Sequence, residues 1–290
     1  MVRTSLAAAA VLTTAVVTAC GGHGTVQGTI VFESNRSGRD ALYAVRLDGT
    51  GLTTLLDLPK EAAVFWTGDA TRALVLGARP YVLESASRTR RKVRLPGFET
   101  ATEIAPWSRM LWSPDGNRLA YATDSGDIVL LDIESRVRRR ITKGSSDGAV
   151  AWSPDGERVL FIDWSDLTLD TAPASGGSRT RVARLPVSID ADALPGWSAD
   201  GKWISLLNVD GGLLYVVRSD GTRLHSIASD ARDAAWSPAG ARIAFAGPRG
   251  IVVVDLAHAR RGRLTRDPLD STVAWSPDGR HIVFTRNSGR

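Results

Sequence analysis

The phrase Trp152-Ser153-Pro154-Asp155-Gly156, followed by the apolar run 159–162, decides the fold of this chain. The same five residues return at 112–116 and 275–279, and looser copies begin at Trp66, Trp197 and Trp236. The six tryptophans are separated by 46, 40, 45, 39 and 39 residues. A period near forty residues indicates an array of repeated structural units.

Each copy of the phrase predicts a β-hairpin. Proline presets φ at the second position of a turn, Asp suits the next position, and Gly accepts the left-handed conformation that follows. Apolar, β-branched runs flank the turn on both sides, as the strands of a hairpin do. Two more strand-like runs follow in most copies, and the last of them is rich in arginine. Four short antiparallel strands in every forty-odd residues are typical of a β-propeller blade.

The ends of the array predict how it closes. The chain enters it at a second strand, 29–33, and leaves it at a first strand and hairpin, 273–285. Read as a ring, the C-terminal strands complete the N-terminal blade, so we expect the N- and C-terminal strands to pair. The predicted fold is therefore all-β, a six-bladed β-propeller of four-stranded antiparallel blades. Because both ends offer a second strand, seven blades is the alternative.

The N-terminal residues predict export. Residues 1–19 read as a signal peptide, with Arg3 before an apolar stretch that is too short to span a bilayer as a helix. The run 17–20, Val-Thr-Ala-Cys, resembles the lipobox of bacterial lipoproteins, and Cys20 is the only cysteine in the chain. Acyl chains at Cys20 would hold the protein to a membrane, with 20–28 as a flexible tether and 29–290 as the propeller. The alternative is an ordinary secretory signal.

The repeat resembles that of TolB-type propellers, whose hallmark is Trp-Ser-Pro-Asp-Gly followed by a basic residue and an apolar strand. The copies at Trp112, Trp152 and Trp275 carry this hallmark in full. The resemblance implies that the tryptophan-bearing strands line a central channel, with the tryptophan rings packed between neighbouring blades. It does not fix the function, because propellers of this type serve as protein-binding modules, as regulatory domains of peptidases and occasionally as enzymes.

Acidic and basic residues occupy different positions in the repeat. Five residues before the tryptophan stand Glu61, Asp147, Asp192 and Asp270. Basic residues crowd the outer hairpins and strands at 88–94, 136–140, 179–184 and 260–263. A net charge of +5 thus combines a predicted acidic channel mouth with a basic periphery.

Each charged zone has a functional and a structural interpretation. An acidic mouth would capture a partner with a basic segment, and a basic periphery would favour an anionic membrane surface. Alternatively, the acids hydrogen-bond backbone between blades, and the arginines protect edge strands from pairing with other chains.

No catalytic constellation is evident in the sequence. None of the four histidines, at 23, 225, 258 and 281, shares a predicted loop face with the acidic residues. The Gly-Ser-Ser-Asp-Gly run at 144–148 joins two predicted strands, whereas a nucleophile elbow joins a strand to a helix. We therefore predict no catalytic residue, no cofactor and no metal site. Nucleic acid is not an expected partner, because an exported, tethered protein seldom meets any.

These observations predict a lipoprotein of the bacterial cell envelope, anchored on the extracytoplasmic side, whose propeller is a protein-binding or scaffolding module. Its candidate binding surface combines the four acids Glu61, Asp147, Asp192 and Asp270 with Trp107 and Trp164, which lie outside the repeat position. The alternative is a channel-centred enzyme that holds a divalent cation with carboxylates and hydrolyses a small ester or lactone.

Overall fold

The computed structural model is all-β. It describes residues 16–18, 29–34, 41–46, 50–58, 63–67, 72–76, 79–84, 89–93, 111–123, 125–143, 146–186, 189, 193–208, 211–276 and 278–286. These residues form strands, turns and loops, and among them there is no helix long and apolar enough to cross a membrane.

The described residues form 26 strands in seven sheets that follow one another along the chain. Sheet 1 contains β1 (Val16–Thr18), β2 (Thr29–Ser34), β3 (Ala41–Arg46) and β4 (Thr53–Asp57). Sheet 2 contains β5 (Ala63–Trp66), β6 (Arg72–Leu76), β7 (Tyr81–Glu84) and β8 (Arg90–Lys92). Sheet 3 contains β9 (Leu111–Trp112), β10 (Arg118–Ala122), β11 (Ile128–Asp132) and β12 (Arg138–Arg140). Sheet 4 contains β13 (Asp147–Trp152), β14 (Arg158–Asp163), β15 (Thr168–Pro173) and β16 (Thr180–Arg184). Sheet 5 contains β17 (Leu194–Trp197), β18 (Trp203–Asn208), β19 (Leu213–Arg218) and β20 (His225–Ala228). Sheet 6 contains β21 (Asp233–Trp236), β22 (Arg242–Gly247), β23 (Gly250–Asp255) and β24 (Arg260–Arg263). Sheet 7 contains β25 (Asp270–Trp275) and β26 (Ile282–Arg286).

Sheets 1 to 6 are antiparallel meanders in which each strand pairs with its neighbours in sequence. This confirms the predicted repeat of four short antiparallel strands. Side chains alternate between the two faces of each strand, and both faces are apolar in the middle strands, as in β14, where residues 159–163 are all buried. Such strands bury one face against each neighbouring sheet, which is how a stack of blades forms a core.

The N-terminal sheet differs from the prediction. β1 lies inside the stretch predicted as a signal peptide, and it pairs with β2, with Val16 opposite Val31. β2 pairs with β3 along its other edge, so in the described part of the chain β26 pairs with β25 and not with β2. The β-branched run Val-Val-Thr has the composition of a strand and occupies the edge that the C-terminal strands were expected to take. The predicted count of six blades and the closure of the ring stay predictions.

The Ser-Pro-Asp-Gly turns have the predicted form. In sheet 4 the Gly156 amide donates to the Ser153 carbonyl at 2.9 Å, and Gly156 has a φ of 69°. The Ser153 hydroxyl donates to Asp155 at 2.5 Å, and the same oxygen accepts the Arg158 amide at 2.9 Å. The Ser153 hydroxyl and the Glu157 amide, which donates to Asp155 Oδ1 at 2.9 Å, hold the pKa of Asp155 below its ordinary value, against the opposing effect of burial. The side chains of the phrase therefore satisfy the turn's own backbone.

The repeated tryptophans join neighbouring sheets, as predicted. The indole N–H of Trp112 donates to the Phe65 carbonyl at 2.8 Å, and that of Trp152 donates to the Leu111 carbonyl at 3.1 Å. At some junctions the arginine after the turn, such as Arg118 or Arg242, adds a second bond. Arg118 lies 4.9 Å from the centre of the Trp152 ring and donates to the Gly156 carbonyl at 3.0 Å. Each junction of this kind thus combines apolar packing, a hydrogen bond and a cation–π contact.

The junction between sheets 4 and 5 departs from this pattern. The indole nitrogen of Trp197 is buried and has no hydrogen-bond partner among the described atoms. Arg158, which occupies the position of Arg118, turns back and donates to the Thr171 hydroxyl at 2.7 Å. A large apolar cluster that includes Leu160, Ile162 and Ile204 joins the two sheets instead.

Candidate functional site

Three of the residues predicted from the sequence to form the binding surface are described by the structure: Asp147, Asp270 and Trp164. Asp147 and Trp164 lie at the same end of sheet 4, and Asp270 begins β25 in sheet 7. Glu61, Trp107, Asp192 and the predicted lipidation site Cys20 lie outside the described residues.

Sheet 4 contains a buried group of three carboxylates around one guanidinium, which we call the sheet 4 acidic cluster: Asp147, Asp163, Asp170 and Arg179. Asp147 and Asp163 are directly opposite each other on β13 and β14. The three acids are 1–3% exposed. Like charges at opposite positions of two strands destabilise a sheet, so this arrangement requires a compensating cation.

Arg179, in the loop before β16, provides that cation. Its guanidinium lies 2.8 Å from Asp163 Oδ2, 3.5 Å from Asp147 Oδ1 and 3.5 Å from Asp170 Oδ2. Burial raises the pKa of Asp170, and Arg179 only partly offsets this effect. Burial also acts on Asp163, but hydrogen bonds from Ser165 and Arg179 outweigh it and hold its pKa below the ordinary value. Asp170 Oδ1 is buried without a hydrogen-bond partner in the described structure, so the cluster is incompletely satisfied.

Asp270 is buried and ion-paired within a single hairpin. Arg286, directly opposite it on β26, donates to its two oxygens at 2.6 and 3.1 Å. This bidentate pair holds the pKa of Asp270 below its ordinary value. Asp267 also lies 3.2 Å from the Arg286 guanidinium.

The ion pairs revise the predicted separation of charges. Arg179 was assigned to the basic periphery, but it contacts the acids it was expected to be separated from. Arg140 of β12 likewise lies 3.3 Å from Asp127. The alternative interpretation, an acid that bonds backbone between sheets, is observed at Asp233, whose Oδ2 accepts the Val273 amide at 2.8 Å. Asp147 and Asp270 therefore have structural partners, and a binding role for them stays a prediction.

The sequence analysis missed the partners Arg179 and Arg286. The signal for Arg286 was its place on the strand that pairs with the strand of Asp270, although counting outwards from the Trp275 turn puts it opposite Ser271, and the register shift between Ser271 and Val273 brings it opposite Asp270. No comparable signal exists for Arg179, because a six-residue loop and a register shift between Leu169 and Asp170 precede its strand.

The loop 164–167 is rigid and partly exposed. Asp163 Oδ1 accepts the Ser165 amide at 3.0 Å, the Ser165 hydroxyl at 2.5 Å and the Asp166 amide at 3.3 Å. The Trp164 amide donates to the Ser146 carbonyl at 3.0 Å. The Trp164 indole is half-buried against the sheet 4–sheet 5 core, over Gly148, where a Cβ would lie 2.8 Å from the indole nitrogen. Ser165 and Asp166 are exposed.

No group of three or more His, Cys, Asp or Glu side chains in the described part of the chain is arranged to hold a metal ion. In the sheet 4 acidic cluster the Arg179 guanidinium lies between the carboxylates, where a cation would have to bind. These residues therefore do not fit a divalent ion.

Comparisons with known proteins show the fold. No protein-family model matches the chain. It is 33% identical over 112 residues to Meiotic fizzy-related protein 1 of Schizosaccharomyces pombe, a match that covers 39% of this chain and 22% of that protein. It is similar in structure to an oligogalacturonate lyase in complex with manganese, with a TM-score of 0.67, 13% identity, and coverage of 89% of this chain and 82% of that one. It is also similar to TolB from Acinetobacter baumannii, with a TM-score of 0.54 and 19% identity. That match covers 82% of this chain and 63% of the TolB chain. The chain thus has the β-propeller fold of TolB-like and WD40-like proteins.

Proposed function

We propose that the chain is a lipoprotein of the bacterial cell envelope, anchored to the membrane at Cys20, whose propeller binds a protein partner. The partner contacts the propeller at the loop 164–167 and its surroundings, and it carries a basic segment. Glu61 and Asp192 belong to the proposed surface because they stand five residues before a repeated tryptophan, and Trp107 stands at the same distance before Trp112. The TolB-like fold is compatible with this function but does not specify it.

The observation that carries the proposal is the geometry of the loop 164–167. Exposed aromatic residues on rigid supports are typical binding hot spots, because little conformational entropy is lost when they are covered. The Trp164 loop is held by three hydrogen bonds to one carboxylate. Leu167 closes it with a φ of 50°, a conformation that costs a bulky side chain about 1 to 3 kcal/mol. Strain of this kind is often retained where a loop has a function.

The charge of the partner follows from Asp166. This exposed carboxylate is the one acid of the loop whose side chain makes no hydrogen bond or ion pair within the described structure. Asp147 and Asp163, by contrast, are ion-paired with Arg179. A basic segment of the partner would therefore meet Asp166 first.

The test uses two charge reversals at opposite ends of β14. Asp166→Lys changes the proposed surface, and Glu157→Lys makes the same change beside the Ser-Pro-Asp-Gly turn, where the side chain is also exposed. We expect an envelope protein captured by the full-length chain to be lost with Asp166→Lys and kept with Glu157→Lys. Capture that survives Asp166→Lys, and also survives Trp164→Ala in a folded variant, would place the binding surface elsewhere.

The second candidate is an enzyme with a carboxylate-bound divalent cation. The likeness in fold to the manganese-bound oligogalacturonate lyase favours it, whereas the described carboxylates do not fit an ion. Two acids of the predicted ring, Glu61 and Asp192, lie outside the described residues. Equilibrium dialysis of the purified chain against manganese separates the candidates. Stoichiometric binding that Glu61→Gln or Asp192→Asn abolishes would favour the enzyme.

A further inference from the structure

A groove opens between the outer strands of sheets 2 and 3. Its cavity is about 380 Å³, and its floor is formed by Val93, Leu131 and Ile133. We call it the outer groove. It lies among the outer strands and the β11–β12 hairpin, away from the loop 164–167 that the proposed function uses.

The rim of the outer groove is basic. It carries Arg91, Lys92, Arg136 and Arg138 against the two acids Asp132 and Glu134 nearby. Both acids already have partners. Glu134 pairs with Arg91 at 2.8 Å, and Asp132 accepts the amide and the hydroxyl of Ser135, each at 2.8 Å. Ser135 holds the pKa of Asp132 below its ordinary value. The rim therefore keeps an excess of positive charge.

Lys92 and Arg136 supply this excess. Both side chains are exposed, and neither makes an ion pair or a hydrogen bond with any part of the chain that the structure describes. Arg138 differs from them, because it bonds to the Tyr121 hydroxyl. Two cations thus stand at the edge of an apolar floor without an internal partner.

Arg136 also occupies a strained backbone position. It lies in the loop 133–137 between β11 and β12, one residue before Val137, whose carbonyl accepts the Asp132 amide, and its φ is 60°. A non-glycine residue in this region is strained, whereas glycine adopts the conformation freely. In sheet 6 the residues 256–259 lie between the paired Asp255 and Arg260, and Ala259 takes the equivalent position with a φ of 51°. At residue 136 the chain carries a long cation where glycine would relieve the strain.

Apolar surface lies beside these cations. Val137, next to Arg136, is 58% exposed. The neighbouring edge strand β12 is exposed along its whole length, with arginine at each of its three positions. Cations that bind phosphate groups and an apolar side chain that enters the acyl boundary are the two components of a membrane-surface contact. An acidic protein would match the charge but would leave the apolar floor and Val137 unexplained.

We propose that the outer groove and the β11–β12 hairpin dock on an anionic lipid surface, with a lipid phosphate held between Lys92 and Arg136. This contact is independent of acylation at Cys20 and of the partner surface at the loop 164–167. It would orient the propeller on a membrane by its outer edge.

The test compares the binding of the full-length chain to two kinds of vesicle, phosphatidylcholine alone and phosphatidylcholine mixed with phosphatidylglycerol. Any acyl anchor contributes equally to both, so the ratio of the two partition coefficients measures the anionic contact. Each cation near such a surface contributes a factor of about five. We expect Arg136→Gly and Lys92→Gln each to lower the ratio about fivefold, and we expect raised salt to lower it for the wild type.

Ala259→Gly is the matched control. It relieves the same backbone strain and removes no charge, so the ratio should stay at the wild-type value. Both glycine variants should unfold at or above the wild-type temperature, which separates lost binding from lost folding. A wild-type ratio of one, or a ratio unchanged in both charge variants, overturns the proposal. So does displacement from vesicles by soluble glycerol phosphate or by an acidic peptide at equal charge concentration, because the ligand would then be a free anion or a protein.

Discussion

Sheets 4 and 7 place an aspartate at the same position and neutralise it in different ways. Asp147 and Asp270 each stand five residues before the repeated tryptophan, begin the first strand of their sheet and are buried. Both strands have a register shift just after the acid. The residue directly opposite is Asp163 in sheet 4 and Arg286 in sheet 7.

The difference shows two ways to bury the same carboxylate. In sheet 7 the cation comes from the adjacent strand, and the pair is complete within one hairpin. In sheet 4 the opposite residue adds a second negative charge, β15 adds a third, and one loop arginine serves all three. A buried charge that loses its partner is strongly destabilising, so sheet 4 depends on a single side chain from the β15–β16 loop.

The largest expected effect is therefore that of Arg179→Ala. It removes the guanidinium that lies within 3.5 Å of all three buried carboxylates, and we expect a loss of about 3 kcal/mol in the free energy of unfolding, at the low end of the range because the guanidinium is partly exposed and Arg181 still lies opposite Asp170. Without the arginine, burial raises the pKa values of these acids, so the variant should be more stable at pH 5 than at pH 7. Urea unfolding at the two pH values measures this. An unchanged stability at pH 7 would show that the cluster is hydrated and needs no cation.

Arg286→Gln should have a smaller effect, because it leaves only Asp270 without its main partner and sheet 7 is only a hairpin. In the wild type the pKa of Asp270 is lowered, so its contribution is fully present above about pH 3.9 and is lost as pH falls through the lower folded pKa. The difference between wild type and variant should thus be largest at neutral pH and should close once the pH has fallen below the folded pKa of Asp270. The double variant Asp270→Asn/Arg286→Gln should recover much of the loss.

Asp170→Asn should change stability in the opposite direction. Asp170 has a raised pKa and a buried oxygen without a partner in the described structure, so its charged form opposes folding at neutral pH. Removing that charge should raise the free energy of unfolding by about 1 to 2 kcal/mol at pH 7. The wild type should gain stability as pH falls through the raised folded pKa, and the variant should lack that gain. Destabilisation at pH 7 would mean that Asp170 is an essential partner of Arg179.

The repeat phrase made most of the fold predictable. Trp152 and its turn are local features, and the bonds of Ser153 and Asp155 lie within a few residues of each other. The tryptophan packing was predictable for the same reason, since a ring at one fixed position in every copy must meet the same surface of the neighbouring copy. The strand that pairs with the free edge of β2 could not be predicted. Both β1 and the C-terminal strands have the sequence pattern of a strand that could pair there, and the structure places β1 at that edge.

The candidate site was predictable only in part. The positions of Asp147 and Asp270 follow from counting back from the tryptophan, but their ionic partners depend on which residue lies opposite across a sheet. Arg286 lies opposite Asp270 only because of the register shift between Ser271 and Val273, and Arg179 reaches Asp163 from a loop that follows no repeat rule. Exposed arginines at 136–140 and 179–184 look alike in sequence, yet Arg179 is an internal partner and Arg136 has none in the described structure.

The smallest expected effect concerns the tryptophan contacts that join sheet 7 to sheet 6 and sheet 5 to sheet 4. Sheet 7 is joined to sheet 6 by the Trp275 indole, which donates to the Ala235 carbonyl at 3.0 Å, whereas the Trp197 indole of sheet 5 reaches sheet 4 without a hydrogen bond in the described structure. Trp275→Phe removes a made bond and should cost about 1 kcal/mol beyond the loss of ring volume. Trp197→Phe removes a buried donor that has no partner and should cost measurably less.

Thermal unfolding of the two phenylalanine variants under one set of conditions gives the difference directly, because the loss of ring volume is common to both. Equal losses would mean that a water molecule or an undescribed residue bonds to Trp197. A smaller loss for Trp197→Phe would show that apolar packing alone holds sheet 4 against sheet 5. Sheet 4, which contains the acidic cluster, would then also be the sheet whose junction with sheet 5 lacks the tryptophan hydrogen bond. Variants of Arg179 should therefore weaken the junction between sheets 4 and 5 before any other.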